Sequence, residues 1–527
     1  MKSLYQIATV VALLSFTTAL QAQSRQAPPG MFKDLDDEIL GDAILIHDKQ
    51  LFIDDYIIGE MDGVQKRLNQ PVKHPNNPLI VRDKPWESEL TYGAVVYDES
   101  DLLFKVWYTI WTREKDKPPA TGLGYATSPD GIEWTKPAID DTTGTNLIVF
   151  DPPQVYVDGA GVIIDPNETN PQRRFKMTYL AKPTGKESSL SSCVGYSADG
   201  MHWTSEPQNP VFPFSDTQIA PFWDTHLNRY VAFLRFGPPN VRIISRIESE
   251  DFLHWSPKVT VVKKGNLDGP FATELYTMSG TPYAGAYIGL LNTYHGETIQ
   301  PIPDDKPWMD RVDNQLVFSR NGVTWNRVLS DGAITAAEMK TDRDWKQAAE
   351  QATFLPYGEF KKEWDWGQVY PHHPFLVVGD EIRIYYTAMS GRHWNTYHKD
   401  ETKYAIGLAT LRLDGFVSVD AGSEMGTLTT KPLVFFGDTL EINANAEGGS
   451  LAVEALDVDG NPIEGFGKAD CDPITSDQVR HAASWKGSAD CQLLQARPIR
   501  LRFYLQNAKL YSFTPRITQN HYLQSYD

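Results

Sequence analysis

The sequence predicts an all-β protein: a five-bladed β-propeller followed by a small antiparallel β-sandwich. Three observations carry this expectation. A strand-turn-Trp unit recurs through the middle of the chain. Short alternating strands bounded by Gly, Pro, Asn and Asp fill the intervals, and helical periodicity is nearly absent. After Val419 the repeat stops while strand signals continue.

The first element is an address. Lys2 precedes an apolar run from Ile7 to Phe16, and small and polar residues follow to Ala22, so residues 1–22 read as a secretory signal peptide. The run is too short for a membrane span, and no later segment reaches about 18 apolar residues. No Cys follows the cleavage region, which argues against a lipid anchor. The expected product is exported, periplasmic or secreted, without membrane insertion. Its 527 residues include 14 Trp, 24 Tyr and 23 Phe, a composition that supports a sizeable core and excludes global disorder. With 49 basic and 68 acidic residues the net charge is -19, which argues against non-specific nucleic-acid binding because that needs a positive field, and leaves open a local basic pocket for one acidic sugar.

The repeat occupies residues 40–421. It appears as Asp130-Gly131-Ile132-Glu133-Trp134, Asp199-Gly200-Met201-His202-Trp203, Asp251-Phe252-Leu253-His254-Trp255 and Asn321-Gly322-Val323-Thr324-Trp325. A degenerate fifth copy is Asp414-Gly415-Phe416. Asp-Gly or Asn-Gly supplies the positive-φ positions of a tight turn, and the aromatic residue packs beneath it. Between the copies lie paired strands, such as 161–165 with 174–179, 221–224 with 229–234, and 374–380 with 381–386. Four strands per unit and five units describe the propeller. The one helical stretch, Ala336 to Ala352, reads as an insertion in the last blade. Separate strands at 440–445, 450–457, 499–505 and 508–514 make residues 422–517 the sandwich. Of three cysteines, Cys193 sits in an apolar strand, while Cys471 and Cys491 either form one bridge or stay free.

Several motifs together carry a resemblance. Leu51-Phe52-Ile53-Asp54-Asp55-Tyr56, Pro85-Trp86-Glu87, the Asp-Gly-x-x-Trp turns, residues 379–386, Leu501-Arg502-Phe503 and Leu510-Tyr511-Ser512-Phe513 resemble a bacterial group related to family 32 glycoside hydrolases. The resemblance implies a five-bladed propeller with a C-terminal sandwich, and carbohydrate hydrolysis. The family 32 motifs Trp-Met-Asn-Asp-Pro-Asn, Arg-Asp-Pro and Glu-Cys are absent, which disfavours invertase-like action on fructans. Exo-acting or debranching glycosidases of the family 43 kind stay open.

In a propeller the first strand of each blade starts on the ligand face and the second ends there. Strand starts nominate Glu87, Glu89, Asp158, Asp216, Glu274 and Asp365; strand ends nominate Trp111, Arg113, Arg235, Tyr294, His295, Arg392, His393 and Trp394. A glycosidase needs one protonated and one ionised carboxyl group across the scissile bond. By blade order Glu89 serves as base or nucleophile, Asp216 orients and tunes the acid, and Glu274 donates the proton. Asp158 and Asp365 are reserves. A turn or hydrogen-bonding role is the plainer reading of each. Trp86, Trp111 and Trp394 either stack on a sugar face or pack the blades. His372 and His373 lie on a central strand as core residues, as partners of a sugar hydroxyl, or beside a structural channel cation near His372. No cofactor and no metal site are expected. Asp54 and Asp55 point to opposite faces of a strand and do not form a catalytic pair.

These residues predict an exported glycoside hydrolase acting on plant or algal polysaccharide fragments. Two other readings stand beside it. One is a sialidase-like hydrolase or polysaccharide lyase in which Arg113, Arg235 and Arg392 clamp a carboxylate; the other is a non-catalytic carbohydrate-binding propeller.

Overall fold

A computed structural model describes residues 42–112, 120–140, 142–154, 156–182, 190–212, 215–237, 241–268, 272–296, 304–334, 338–393 and 402–518. The segment read as a signal peptide, Arg113 and Trp394 lie outside the described residues.

The protein is mostly β, with many sheets. Five meandering strand groups, called sheets below, follow one another along the chain, the last two joined into one continuous sheet by the parallel pair Val312 and Gln368. The first is Glu89–Asp98, Leu103–Thr112 and Ala120–Ser128. The second is Val157–Ile164, Phe175–Ala181, Ser191–Ser197 and His202–Ser205, with Val149–Asp151 added parallel at its outer edge. The third is Ala220–Asp224, Arg229–Arg235, Ile244–Ser249 and Val259–Val262. The fourth is Ala272–Tyr283, Ala286–Gly296 and Arg311–Ser319, edged by Asn326–Arg327 and Thr353–Leu355. The fifth is Gln368–Pro371, Glu381–Met389 and Tyr404–Arg412, and its outer strands, Val72–Lys73 and Ile80–Val81, come from before the first sheet.

The first strands of the first four sheets stand side by side in chain order; Gln368–Pro371 of the fifth pairs with Arg311–Ser319 of the fourth and also contacts the first strand of the first sheet. There Val95 donates its amide to the His373 carbonyl at 3.0 Å, and His373 donates to Gly93 at 3.1 Å. Apolar clusters fill each gap between neighbouring sheets. Trp107, Tyr125, Met177 and Trp203 lie between the first and second, and Phe222, Phe233, Met278 and Leu291 between the third and fourth. Burying the roughly 200 Å² of a single Trp contributes on the order of 5 kcal/mol of transfer free energy before ordering costs.

The repeated turns explain the spacing. In the first copy the Ser128 hydroxyl accepts from the Gly131 amide at 2.8 Å, Asp130 accepts from the amides of Ile132 and Glu133, and the Trp134 indole donates to the Gly131 carbonyl at 3.2 Å. All of these bonds recur around Ser197 and Asp199; around Asp251 and Asn321 the side-chain oxygen accepts the two following amides and the Trp indole bond recurs, while Ser249 and Ser319 donate to Asp251 and Asn321. Gly200, at φ +84°, lies against Trp107, whose Cζ2 would stand 2.7 Å from any Cβ there. The fifth copy departs from the pattern. Its positive φ falls on Asp414, and that buried carboxylate instead receives Lys49 at 2.7 Å and Ser512 at 2.7 Å.

The C-terminal strands form two facing sheets. One orders Asp477–Ala482, Thr439–Asn445, Ala508–Arg516, Val417–Ala421 and Val64–Leu68; the other orders Ile58–Asp62, Gly426–Thr430, Arg500–Gln506 and Ser450–Leu456. Strict in-out alternation along Arg500–Gln506 turns Leu501, Phe503 and Leu505 inward, and Phe503 packs against Phe52 and Phe513. Strands at 50–51, 58–62, 64–68 and 417–421 therefore join these sheets, on the other side of the sequence boundary at 421, while Ile44–Ile46 pairs separately with Leu433–Phe435.

One expectation needs correction, and one open alternative is resolved. The helix, Asp342–Ala352, lies between strands of the fourth sheet rather than in the last one, because Thr353–Leu355 returns to pair with Arg311–Ser319. Thr341 and Asp344 cap it reciprocally. Cys471 and Cys491 are both free and buried: Cys471 Sγ accepts from the Val453 amide, while Cys491 faces the Gly437 carbonyl.

Candidate active site

Near the starts of the first strands, charged side chains gather around Tyr92 and Tyr276, a place termed the mouth below, and hydrogen bonds tie the strands together beneath it. Gln218 donates to the carbonyls of Gly93 at 2.8 Å and Ala160 at 2.9 Å, stitching the first three sheets together. His373 bonds Ser279 Oγ at 2.9 Å and the Pro221 carbonyl at 2.5 Å. The His372 imidazole packs on Gly93 and bonds Thr387 at 2.8 Å. Burial pushes the His372 pKa down to about 3 and that of His373 to about 4, so both stay neutral. These two histidines are floor packing and lie below the mouth.

At the mouth, Asp158 opens its strand just before a bulge and is 5% exposed. Tyr156 donates to its Oδ2 at 3.4 Å, while Oδ1 is buried with no hydrogen-bond partner among the described residues. Burial pushes its pKa up to about 6; Thr109, the Gly159 amide, Tyr156 and the Arg235 charge oppose that rise in part.

Asp216 lies in the bend that precedes the third sheet. Arg235, at the end of the neighbouring strand, donates Nε to Asp216 Oδ1 at 2.6 Å and Nη2 to its carbonyl at 3.0 Å. The Arg235 guanidinium lies 4.8 Å from the Tyr276 ring centroid, and that of Arg242 lies 5.1 Å from it. Arg242 in turn forms a close ion pair with Glu274 through Nη1. Tyr276 bonds His393 Nε2 at 3.1 Å. Burial, then the Arg242 and Arg235 charges, hold the His393 pKa down at about 4. Trp111 faces Glu89 across the first sheet and meets Tyr156 edge-on at 5.8 Å.

The mouth thus gathers Asp158, Asp216, Glu274, Arg235 and His393, with Glu89 and Trp111 on its rim. Other nominated residues have different surroundings. Trp86 donates its indole N–H to Asn146 at 2.9 Å and packs into the cluster around Tyr108. Glu87 is buried under Lys136 and Tyr108, at 2.8 Å and 2.9 Å. His295 turns to the face opposite Tyr294 and bonds Asp313 at 2.9 Å. Arg392 is 4% exposed and donates to the Lys306 carbonyl, away from the face on which His393 meets Tyr276. Asp365 is paired with Lys73 at 2.6 Å. No group of three or more His, Cys, Asp and Glu suited to a metal ion occurs among the described residues.

Sequence reasoning missed Tyr92, Tyr156, Tyr276, Thr109 and Arg242. Same-face spacing at two residues would have found Tyr156 beside Asp158 and Tyr276 beside Glu274. Arg242 precedes its strand in a loop and carries no periodic signal.

No protein-family model and no curated protein matches the sequence. Among solved structures, a glycoside hydrolase is similar with 12% identity and a TM-score of 0.42, over 65% of this chain and 92% of that one. A glycosyl hydrolase from Bacteroides ovatus is similar with 14% identity and a TM-score of 0.42, over 66% and 94%. An N-acetylgalactosamine deacetylase from F. plautii, in complex with blood group B trisaccharide, is similar with 14% identity and a TM-score of 0.41, over 68% and 96%.

Proposed function

We propose that the five sheets are the blades of a β-propeller, braced by the C-terminal sandwich, and that the mouth is the active site of a glycoside hydrolase. The observation that supports this reading most is Asp158: a buried carboxyl with its pKa up at about 6, acted on by the Arg235 that binds Asp216, while Arg242, at the same Tyr276 ring as Arg235, holds Glu274. Hydrolysis of a glycosidic bond asks for that inequality, one carboxyl able to carry a proton and another ionised.

The roles follow from the surroundings. Asp158 gives its proton to the leaving oxygen. Glu274, engaged by Arg242, acts as base or nucleophile, with Glu89 on the rim as its rival. Asp216 positions Arg235, whose charge acts on Asp158. Water supplies the hydroxyl to the anomeric carbon and returns a proton to the carboxyl pair. This exchanges the donor role expected of Glu274 with the reserve role of Asp158, because a guanidinium at the carboxylate suits a base. The substrate class is a polysaccharide fragment, met outside the cytoplasm if residues 1–22 direct export.

A panel of plant and algal oligosaccharides incubated with the mature protein tests the reading. Released sugar is expected, falling by about 10²–10⁴-fold in Asp158→Asn. Binding without release from any substrate would instead mark a non-catalytic carbohydrate-binding protein.

A further inference from the structure

We infer that the mouth recognises a carboxylated sugar, a uronate, gripped between Arg235 and Arg242. This names the substrate class of the site proposed above and rests on that reading for the turnover that follows binding.

Arg235 is 8% exposed, and its carboxylate partner occupies only one side of the fork. Nε and Nη2 are spent on Asp216, while Nη1 is buried without an acceptor among the described residues. Arg242 repeats the pattern: Nη1 is spent on Glu274, and Nε is buried without an acceptor among the described residues. A buried guanidinium N–H left unpaired is costly, so each of these donors is matched by an acceptor that a ligand brings. Both guanidinium groups lie against the same ring, that of Tyr276. Their unspent donors make a two-point grip of like charge.

Each guanidinium already holds one protein carboxylate, so what stays open is one donor on each. A neutral hydroxyl offers its oxygen to one of them, whereas the two oxygens of a planar carboxylate offer an acceptor to both. Tyr276 and Trp111 supply flat surfaces for the sugar ring.

Calorimetric titration of the Asp158→Asn protein reads binding apart from turnover. The probes are disaccharides ending in glucuronic or galacturonic acid, their carboxyl-reduced counterparts, and a 6-sulfated galactose disaccharide. At least one uronate probe is expected to bind about tenfold or more tighter than its reduced form. Arg242→Gln should erase that preference, and Arg242→Lys should restore part of it with an unchanged near-ultraviolet circular dichroism spectrum. Equal affinity for native and reduced probes, no binding of either uronate at millimolar concentration, or preference for the sulfated probe would overturn the inference. Uronate-dependent binding with no hydrolysis by the unmodified protein would leave the inference standing and remove the hydrolase reading. Hydrolysis confined to neutral glycans would do the reverse.

Discussion

The Lys73 ammonium lies 2.6 Å from the Asp365 carboxylate, which joins residues separated by most of the first four sheets. Lys73 sits on an outer strand of the fifth sheet, contributed by the segment before the first sheet. Asp365 is buried in the approach to Gln368–Pro371 and also accepts from the Tyr386 hydroxyl at 3.0 Å. This pair ties the outer edge of the fifth sheet to the approach of its first strand.

Replacing Lys73 by Met would leave that buried carboxylate with only Tyr386 among its named partners. A loss of about 2–4 kcal/mol is expected, at the low end because Lys73 is partly exposed. Urea unfolding checks it. Asp365→Asn should also lower stability, while kcat of the folded fraction stays within about twofold if Asp365 lies outside the chemistry.

Gly93 is required by His372. A Cβ at residue 93 would stand 2.3 Å from His372 Cε1, and that imidazole is buried in the floor. Gly93→Ala should therefore cost about 3 kcal/mol or fail to fold, as over-packed sites do. His372→Ala removes the obstructing ring. The double variant should be more stable than the sum of the two single losses predicts, by at least about 1 kcal/mol. Strict additivity in a double-mutant cycle would show that this contact does not govern residue 93.

The same two floor histidines set an acid limit. With folded-state pKa values down at about 3 for His372 and about 4 for His373, neither gains a proton in the native state near neutrality. Above about pH 6.5 both states are neutral and pH has no effect through them. As pH falls below that value, the unfolded chain takes up protons that the folded one refuses, so stability drops. At pH 4 each costs on the order of 3 kcal/mol. His373→Gln, which keeps a donor and an acceptor, should flatten the pH dependence of urea midpoints between pH 6.5 and 4. An unchanged slope would place the acid limit elsewhere.

The all-β class was legible because turn chemistry is local. Ser128, Asp130, Gly131 and Trp134 close one turn among themselves, and the same residues at the same spacing announce the next copies. The closure by Lys73 and Ile80 was not legible, since two-residue strands carry no period and their partners lie hundreds of residues away. Strand starts led to Asp158, Asp216 and Glu274, yet the same rule nominated Glu87 and Asp365, which are held by lysines. Position along a strand tells where a carboxyl begins its sheet. It does not tell whether Lys136 or Lys73 reaches it, because those contacts cross the fold. Arg242 was missed for the same reason.

Asp158 and Glu274 should separate under two kinds of test. The first is stability against pH. The Asp158 pKa is raised from its ordinary value to about 6 by burial, so the folded state holds the proton more tightly than the unfolded chain. Stability through this group is highest below about pH 4, falls as pH rises, and levels off above about pH 6. The full cost is on the order of 3 kcal/mol, of which about 1–2 kcal/mol falls between pH 5 and 8. Asp158→Asn removes the ionisation, so the variant should gain on the unmodified protein by that amount across the interval. The second test is leaving-group dependence. If Asp158 is the proton donor, Asp158→Asn should slow glycosides with poor leaving groups by about 10²–10⁴-fold and activated aryl glycosides far less. Glu274→Gln should slow both substrate types alike, because a base or nucleophile is needed whatever departs. The reverse pattern, with Glu274→Gln sensitive to the leaving group and Asp158→Asn indifferent, would return the donor role to Glu274 and leave Asp158 as a buried residue that only positions Tyr156.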